Sequence, residues 1–380
     1  MGAKILFFVS FFGLFGMTWL WVVLAYFVFK SSGKKIGSMH GLSVSRIDIL
    51  LPVHNEEALI EASLESFRAA ILELNSLYPQ IQVGILIGLD ACTDQTMQIA
   101  KNLNVPCVEV AFKNKWKTLV SLVRHRTESQ GANMQGDWVI LADAGVIWPK
   151  RFLLNMIPNL MDSQVMGIAP AYYRKNSGIL EQLHWIIERY FKRLESTFAG
   201  GPISVHGATV LYRRSELEKA LLRLKAKVWA ADDVVVPLVM RAIYPNRRIV
   251  YVESPCESDR IIDQGVLVDH RSLTRSRRMV LGNLQWIKHV LPFVIRADCA
   301  VGLLAMRRVF RMLWLYWLLS LGVGVVWLGL QKSPAVGIGI VFLYLFLGLV
   351  MKKSLGPILS SLLVPFYFCS NSEEKNILWS

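Results

Sequence analysis

Long apolar stretches occur near both ends of the chain. The first runs from Ile5 to Phe29 without a charged residue, and a helix of that length crosses a hydrocarbon core of roughly 30 Å. The second runs from Met312 to Leu330 and, after a break at 331–334, resumes from Ala335 to Met351. These patterns predict an N-terminal transmembrane helix and a C-terminal transmembrane hairpin.

The apolar stretches also set the boundaries of the predicted segments. Residues 1–30 form the N-terminal helix, 312–369 contain the hairpin, and 370–380 form a tail. The stretch from Leu355 to Cys369 is shorter than a full span, so we interpret it either as a third short span or as a re-entrant segment.

Between the two ends, short apolar runs alternate with helical stretches. The apolar runs resemble strands buried in a parallel sheet and cover 47–53, 83–89 and 138–141. The helical stretches between them cover 57–75, 94–102 and 117–128. This βαβαβ order predicts an α/β fold, a doubly wound sheet in one domain over 46–268.

The composition agrees with a membrane protein and excludes several other classes. Of the 380 residues, 53% are hydrophobic and 18% charged, and the mean hydropathy of +0.40 is too apolar for an ordinary soluble enzyme. With 14 Pro and 26 Gly the chain is neither disordered nor collagen-like. Five scattered Cys without a CxxC pair predict no disulfide framework and no structural zinc site, and they fit a reducing compartment.

Positive charge near the first apolar stretch predicts the orientation of the chain. Lys30, Lys34 and Lys35 follow the stretch, and only Lys4 precedes it. By the positive-inside rule, the N-terminus lies outside and the following domain lies in the cytoplasm.

A second concentration of positive charge lies before the C-terminal apolar stretches. The net charge is +14, and nine Lys and Arg against one Asp lie between His270 and Arg311. Because apolar residues are mixed with these cations, segment 269–311 is predicted to form basic amphipathic helices on the anionic membrane surface. Membrane lipids are therefore expected as partners, and nucleic acid is not.

Polar residues follow each of the three predicted strands, at the ends where doubly wound sheets bind ligands. They are His54, Asn55, Glu56 and Glu57 after the first strand, Asp90 and Asp94 after the second, and Asp143 after the third. A single Asp after a strand is more often only a helix cap, but carboxylates at three strand ends indicate a ligand site. With Lys115 and Lys117 opening a helix beside them, they suit a ligand that carries a metal-bound phosphate and hydroxyl groups, such as a nucleotide sugar. Since the chain has neither GxGxxG after the first strand nor a GxxxxGK[ST] motif, a dinucleotide or P-loop site is disfavoured.

The motifs resemble those of the membrane-bound family 2 glycosyltransferases of the GT-A fold, which include cellulose, chitin and hyaluronan synthases and ceramide glucosyltransferase. The likeness covers Ile47 to about Trp286 and the flanking apolar stretches. It implies a GT-A doubly wound mixed sheet that binds a nucleotide sugar and is inserted between transmembrane helices.

Several motifs carry the donor part of this resemblance. The segment 52–57 is similar to the family's P-x-Y-N-E-E with His54 in place of Tyr, and 90–94 is similar to its D-x-C/S-x-D turn. Lys117 matches the lysine of the K-x-x-A-L-N segment, which lies near the diphosphate. The residues that the resemblance implies for nucleotide-sugar binding are His54, Asn55, Glu56, Asp90, Lys117, Asp143 and Arg278.

Other motifs carry the acceptor part. Ala231-Asp232-Asp233 resembles the T/A-E/D-D motif, whose last Asp is the general base, although two adjacent Asp alone are equally typical of a helix N-terminus. His206 begins a segment at the position of the acceptor loop, where a structural His is about as common. The resemblance implies catalysis by Asp233 and acceptor binding by Asp232, His206, Gly207 and Met279.

The chain departs from the family pattern at two motifs. Gly145 replaces the second acid of D-x-D, so a bound Mg²⁺ or Mn²⁺ is expected to use Asp143, diphosphate oxygens and water. At the Q-x-x-R-W motif the chain keeps Arg278, whose guanidinium suits a diphosphate, but has Arg275 and Met279 at the Gln and Trp positions. Because that Trp floors the acceptor site, the acceptor is expected to differ from the usual growing chain.

The resemblance implies an inverting hexosyl- or N-acetylhexosaminyltransferase that uses a nucleoside diphosphate sugar, UDP-linked, and a lipid-linked or saccharide acceptor. Its expected location is the bacterial inner membrane, with the catalytic domain in the cytoplasm, in glycolipid or polysaccharide synthesis. Two alternatives stay open. One is a processive synthase of the chitin-oligosaccharide or poly-N-acetylglucosamine type, which threads its product through the hairpin with a partner subunit. The other is a catalytically silent homologue that binds nucleotide sugars.

Overall fold

The structure is a computed structural model that describes residues 2–16, 20–31, 44–129, 137–174, 179–258, 270–334 and 337–338. The chain divides into two compact units. We call the described residues between 29 and 264 the sheet unit, and those before 29 and after 264 the helical unit.

The first elements in chain order are α1 (Gly2–Gly16), α2 (Leu20–Ser31), β1 (Arg46–Val53), α3 (Ile60–Leu77), β2 (Gln82–Asp90), α4 (Thr96–Asn102), β3 (Cys107–Val110), α5 (Lys115–Ser129), β4 (Trp138–Ala142), β5 (Val146–Ile147) and α6 (Phe152–Leu160). They are followed by β6 (Val165–Arg174), α7 (Ile179–Phe198), β7 (Thr209–Arg213), α8 (Arg214–Leu224), α9 (Asp232–Ile243), β8 (Arg248–Ser258), α10 (His270–His289), α11 (Leu291–Ala297), α12 (Cys299–Met312) and α13 (Trp314–Lys332).

One mixed sheet organises the sheet unit, with strand order β3-β2-β1-β4-β7-β6-β8-β5. Strand β1 pairs in parallel with β2 and β4, and β2 pairs in parallel with β3. Strand β7 runs antiparallel to β4 and β6, while β6 is parallel to β8. The predicted α/β fold with a mixed sheet is therefore confirmed.

The centre of the sheet is buried on both faces. Every residue of β1 after Arg46 is buried, as expected for the continuous apolar run that predicts this strand. On one face, Ile47, Ile49 and Leu51 belong to a core that also contains Phe67 of α3 and Phe152 of α6. This packing fixes the register of β1, so its carboxyl end lies beside those of β2 and β4.

Helices α1 and α13 pack closely in the helical unit. Ser10 Oγ lies 2.6 Å from Ser320 Oγ, and a Cβ on Gly13 would overlap the indole of Trp317. A Cβ on Gly324 would lie 3.3 Å from the backbone nitrogen of Phe7. Small residues thus let the two helices approach, and the polar hydroxyls meet each other.

Helices α10, α11 and α12 occupy the segment in which basic amphipathic helices are predicted. Trp286 on α10 is fully buried, and its Nε1 donates to Asn283 Oδ1 at 2.9 Å. Arg308 Nε on α12 donates to the same oxygen at 3.1 Å. At the start of α12, Asp298 Oδ1 accepts from the backbone nitrogen of Ala300 at 3.0 Å, which caps the helix.

Within the described part of the chain, no single helix has both the length and the apolar character needed to span a membrane. Cys299–Met312 and Tyr316–Lys332 meet these criteria only as a bent pair, at an angle of 62°, and Gly2–Leu14 is a shorter apolar helix. The predicted insertion of the sheet unit between transmembrane helices stays a prediction.

Parts of the predicted membrane segments lie outside the described residues. Residues 17–19, between α1 and α2, interrupt the description of the predicted N-terminal span, and α13 covers the predicted first arm of the hairpin. Apart from 337–338, the predicted second arm, the stretch from Leu355 to Cys369 and the tail are not among the described residues.

Candidate active site

A narrow cleft opens in the sheet unit at the carboxyl end of β4. Its charged lining residues come from three places in the chain that the fold brings together. The lining is Pro52, Lys115, Leu119, Leu141, Ala142, Asp143, Gly207, Val210, Tyr212, Asp232, Asp233 and Val236. Of the residues predicted from sequence, Asp143, Gly207, Asp232 and Asp233 therefore share one site.

Asp143 is positioned by the antiparallel pairing of β4 with β7. Ala142 at the end of β4 lies opposite Thr209 at the start of β7, and the N–H of Asp143 donates to the carbonyl oxygen of Ala208 at 2.9 Å. The same pairing places Gly207 at the cleft. A Cβ on Gly207 would lie 3.7 Å from Asp233 Cβ and 4.0 Å from Lys115 Nζ, so the missing side chain keeps this part of the cleft open.

Asp232 and Asp233 form the first turn of α9, where the helix dipole stabilises negative charge. The carbonyl oxygen of Asp233 accepts from the N–H of Val205 at 2.9 Å, which ties the helix start to the segment before β7. Both carboxylates line the cleft. The pair thus both opens a helix and lines the cleft, and its predicted roles at the acceptor stay predictions.

Lys115 is the cation at the centre of the cleft. Its Nζ lies 2.6 Å from Asp143 Oδ1 and 3.8 Å from Asp232 Oδ2, with about a quarter of the side chain exposed. Burial acts to lower the pKa of Lys115, but attraction by Asp143, Asp232 and Asp233 outweighs it and raises the pKa above its ordinary value. The ammonium therefore stays charged at any working pH.

The position of Lys115 on α5 differs from that of Lys117, the lysine that the family resemblance implies near the diphosphate. Lys115 and Leu119, four residues apart, share the face that lines the cleft, whereas Lys117 is exposed and does not line it. The buried Asn114 fixes this phase, because its side chain accepts from the N–H of Lys117 at 3.1 Å. A sequence signal was available, since Lys115 directly follows a capping Asn and precedes an apolar residue at helical spacing.

The loops after β1 and β2 are joined by side-chain hydrogen bonds. Asn55 accepts from the N–H of Thr93 at 2.8 Å, and Glu57 accepts from the N–H of Gln95 at 2.8 Å. The N–H of Glu56 donates to Thr96 Oγ1 at 2.8 Å. The predicted donor residues of these loops are thus close to one another at the same edge of the sheet.

Asp90 is fully buried and organises the approach to α5. Its carboxylate accepts from the N–H groups of Lys113 and Asn114, each at 2.7 Å, and from Thr118 Oγ1 at 2.9 Å. Its carbonyl oxygen lies 2.6 Å from His54 Nδ1. The structure thus assigns the carboxylate a positioning role, and its predicted contact with the nucleoside stays a prediction.

Left-handed backbone conformations follow each of the four parallel strands at this edge. Asn55 (φ 52°), Ala91 (φ 50°), Lys113 (φ 49°) and Gly145 (φ 81°) come after β1, β2, β3 and β4. For residues other than glycine such conformations cost free energy, and they cluster where function fixes the backbone. These turns end the four strands, so that the polar residues that follow each strand lie at the edge of the sheet.

An aromatic cluster containing the predicted His206 lies beside the segment before β7. The rings of His206 and Tyr172 stack with centroids 3.8 Å apart, and the Trp185 ring lies 5.0 Å from that of His206. All three side chains are partly exposed. Aromatic faces of this kind suit the apolar face of a sugar ring.

Tyr212 on β7 adds a neutral polar group to the cleft. Burial raises the pKa of its hydroxyl well above the ordinary value, and Asp232 and Asp233 act in the same direction. The hydroxyl is buried without a hydrogen-bond partner among the described residues. It therefore remains protonated and able to donate.

The donor set around Asp143 does not fit a resident divalent cation. Gly145 supplies no side-chain ligand, and its N–H donates to Ser63 Oγ at 2.8 Å. Asp143 itself is ion-paired with Lys115, and the described residues contain no group of three or more His, Cys, Asp or Glu placed to hold a metal. Mg²⁺ commonly takes one or two carboxylates together with phosphate oxygens and water. At the turn after β4 the predicted Mg²⁺ or Mn²⁺ would find one carboxylate, that of Asp143, and the Lys115 ammonium already engages it.

Arg278 and Met279 lie on α10 in the helical unit. Arg278 is partly exposed, and Met279 is 57% exposed. Their predicted roles at the diphosphate and acceptor stay predictions.

Comparison with protein families identifies the domain that holds most of the cleft. Residues 48–221 match the family described as Glycosyl transferase family 2, so the sheet unit contains a glycosyltransferase family 2 domain. The matched range includes Lys115 and Asp143, while Asp232 and Asp233 follow it. No curated protein matches the sequence.

Several solved structures are similar to the chain. Glucosyl-3-phosphoglycerate synthase from Mycobacterium tuberculosis, in complex with phosphoglyceric acid, is 15% identical with a TM-score of 0.40, over 67% of this chain and 80% of that one. The same synthase in complex with Mn²⁺, UDP and glucosyl-3-phosphoglycerate is 15% identical with a TM-score of 0.38, over 67% and 80%. S. aureus TarS is 15% identical with a TM-score of 0.42, over 70% of this chain and 53% of that one. At these values the likenesses carry no argument about the reaction.

Proposed function

We propose that the chain is an inverting glycosyltransferase that transfers a sugar from a UDP-linked donor to a hydroxyl group of a lipid-linked or saccharide acceptor. One observation carries the proposal. In a unit that contains a family 2 domain, Asp143, Lys115 and Asp233 line a single cleft at the carboxyl end of the sheet. A cation for the leaving diphosphate and a carboxylate base are the two groups that such a transfer needs.

Asp233 is the general base of the proposed reaction. The acceptor oxygen attacks the anomeric carbon as the bond from that carbon to the diphosphate oxygen breaks, so the configuration inverts. The Asp233 carboxylate takes the proton of the attacking hydroxyl, and the diphosphate leaves with the bonding electron pair. The attachment of the Asp233 carbonyl to Val205 supports this role, because it fixes the start of α9 beside Gly207.

Lys115 stabilises the negative charge that develops on the diphosphate. Its position beside Asp143 in the cleft supports this role, and Lys117, on the exposed side of α5, is not used. Arg278 on α10 is proposed as a second cation for the diphosphate. Asn55 and Glu56, in the joined loops after β1 and β2, are proposed to contact the nucleoside.

The acceptor side of the site is proposed to include Gly207, Asp232 and the aromatic cluster around His206. The absence of a side chain at Gly207 leaves room beside Asp233 for a hydroxyl. The stacked rings of His206 and Tyr172 offer a surface for a sugar ring. Met279 stands at the position where the family resemblance implies a Trp of the acceptor site. We therefore expect an acceptor other than the usual growing chain.

The proposed setting is the bacterial inner membrane, with the sheet unit in the cytoplasm. Large apolar side chains exposed on α1 and α13 support this setting, because such surfaces are rarely left in water. They include Ile5, Phe8, Val9, Phe11 and Phe12 on α1, and Leu318, Leu319, Val323, Trp327 and Leu330 on α13.

Nucleotide release tests the proposed reaction. The detergent-purified full chain is incubated with membrane lipid extract and each of a panel of UDP- and GDP-sugars, and the released nucleotide is measured. We expect release from one donor, and we expect Asp233→Asn to lower kcat by about 10²- to 10⁴-fold, the usual contribution of general-base catalysis. Binding of UDP should change by less than threefold, since the base contacts the acceptor.

Glu65→Gln is the matched control, because it removes an exposed carboxylate on α3 outside the cleft. It should retain full activity. Tight UDP binding without release from any donor, over lipid and saccharide acceptors, would instead favour the catalytically silent alternative. Long products released from a single donor would favour the processive one.

A further inference from the structure

We propose that the Lys115 ammonium takes the place of a divalent cation at the donor diphosphate, so that this chain transfers its sugar without Mg²⁺ or Mn²⁺. The inference rests on the proposed function and specifies how the leaving group is stabilised. The geometry around Asp143 supports it.

The ammonium already occupies the carboxylate on which a metal would depend. Lys115 Nζ lies 2.6 Å from Asp143 Oδ1, a distance typical of a strong charge-assisted hydrogen bond. A divalent cation on the same carboxylate would lie within a few Å of the ammonium and would be repelled by it. The two cations therefore compete for one position.

The ammonium also retains donors for a diphosphate. An ammonium has three N–H donors and no acceptor. The hydrogen bond to Asp143 uses one of them, and Asp232 Oδ2, at 3.8 Å, is too far away for a second. Since Lys115 lines the cleft and about a quarter of its side chain is exposed, two donors can reach diphosphate oxygens.

The turn after Asp143 supplies no second acidic ligand. Gly145 has a φ of 81°, a conformation that side-chain-bearing residues rarely adopt. Its N–H is held by Ser63 of α3. The position of the second acid is therefore taken by a glycine in a hydrogen-bonded turn, which offers no side-chain oxygen to a cation.

The charge balance of the cleft determines which measurement is decisive. Asp143, Asp232 and Asp233 surround one ammonium, so the cleft retains negative charge and could attract a free divalent cation as well. The decisive measurement must therefore detect cation binding directly, as well as activity.

The experiment uses the full chain in detergent and three readouts. UDP affinity is measured by calorimetry in EDTA and in Mg²⁺, Mn²⁺ binding is measured by electron paramagnetic resonance with and without UDP, and nucleotide release is measured under both conditions. Lys115→Met removes the ammonium, and Lys115→Arg retains the charge. Arg124→Met is the control, because it removes an exposed cation from the same helix.

For the wild-type chain we expect UDP affinity and nucleotide release to agree within threefold between EDTA and Mg²⁺, with no stoichiometric Mn²⁺ signal. Lys115→Met should weaken UDP binding in EDTA by at least tenfold, and Mg²⁺ should restore part of the loss because Asp143 becomes available. Lys115→Arg should stay metal-independent, and Arg124→Met should behave as wild type.

Two outcomes overturn the inference and differ from each other. If wild-type turnover requires Mg²⁺ or Mn²⁺ and one Mn²⁺ binds with UDP, the inference is wrong while the glycosyltransferase proposal stands. If no nucleotide sugar binds or reacts with or without metal, the proposed function fails and the inference with it. The wild-type comparison decides the question even if a Lys115 variant does not fold.

Discussion

Individual backbone conformations after the parallel strands affect stability differently according to the residue that adopts them. Gly145 and Ala91 both turn the chain out of a strand with positive φ, but only one of them is glycine. A Cβ in the left-handed region costs about 1–2 kcal/mol, whereas glycine there avoids that cost. Exchange between Gly and Ala is therefore expected to have opposite effects on the free energy of unfolding at the two positions.

We predict that Gly145→Ala lowers the free energy of unfolding by about 1–2 kcal/mol. Ala91→Gly should raise it by roughly 0.5 kcal/mol, because relief of the strained conformation is partly offset by the greater entropy of the unfolded chain. Chemical denaturation of both variants in one detergent measures the difference. Equal destabilisation by both would show that local packing, and not φ, dominates at these turns.

The choice between Lys115 and Lys117 shows what sequence could predict of the site. The carboxylates were predictable because each directly follows a strand or opens a helix, as with Asp143 and Asp233. Both Lys115 and Lys117 were predicted beside these carboxylates, but which of the two faces the cleft depends on where α5 begins. That start is set by hydrogen bonds from the 113–118 segment to the buried Asp90, a contact between residues distant in sequence.

At the scale of elements, Asp90 connects the end of β2 to the start of α5. Three donors from α5 and its preceding loop converge on one buried carboxylate. Such charge-assisted hydrogen bonds are stronger than neutral ones, and a buried donor left without an acceptor costs about 1–3 kcal/mol. The position of Lys115 in the cleft therefore depends on a residue that does not line it.

We predict that Asp90→Asn destabilises the chain by about 2 kcal/mol or more, since an amide group cannot accept from all three donors. Thr118→Val is the matched control, because it removes one of the three donors and should cost about 1 kcal/mol. Denaturation curves give both values. If Asp90→Asn retains full stability yet loses UDP binding, the direct nucleoside contact expected from sequence is the better explanation.

The accuracy of the predicted strands followed how continuously apolar each strand is. Strands β1, β2 and β4 are central, parallel and continuously apolar, and the predicted runs agree with them to within two residues. Strand β3, with four residues and an exposed Glu109, has no continuous apolar run and was not predicted. The strand order beyond β4 mixes parallel and antiparallel pairs, which apolar patterns do not specify.

At the scale of the whole molecule, the two units expose different surfaces. The apolar residues of the sheet unit are mostly buried in its core, whereas α1 and α13 expose large apolar side chains on the outside of their pair. An exposed patch of this kind is typical of a membrane or protein contact.

We predict that the full chain sediments with membranes and resists extraction by 1 M salt and by carbonate at pH 11, each of which removes proteins held by surface charge. Detergent should release it. Phe8 and Phe12 are both more than half exposed on α1, and their replacement by Ser should increase the fraction of the chain that carbonate extracts. Leu72 is an exposed apolar residue of α3, and the control Leu72→Ser should leave that fraction unchanged. Complete release of the wild-type chain by carbonate would contradict the proposed membrane setting.

The close pairing of α1 with α13 also has a consequence for biosynthesis. Ser10 and Ser320, which meet in this pair, are 310 residues apart in the sequence. Domains generally fold as units during synthesis, N-terminal parts first, so the sheet unit leaves the ribosome before the partner of α1 has been translated. During that interval the small-residue face of α1 at Ser10 and Gly13 is without α13. The pair can therefore form only after the whole sheet unit has been synthesised, so the N-terminal helix waits for a partner that is encoded on the far side of that unit.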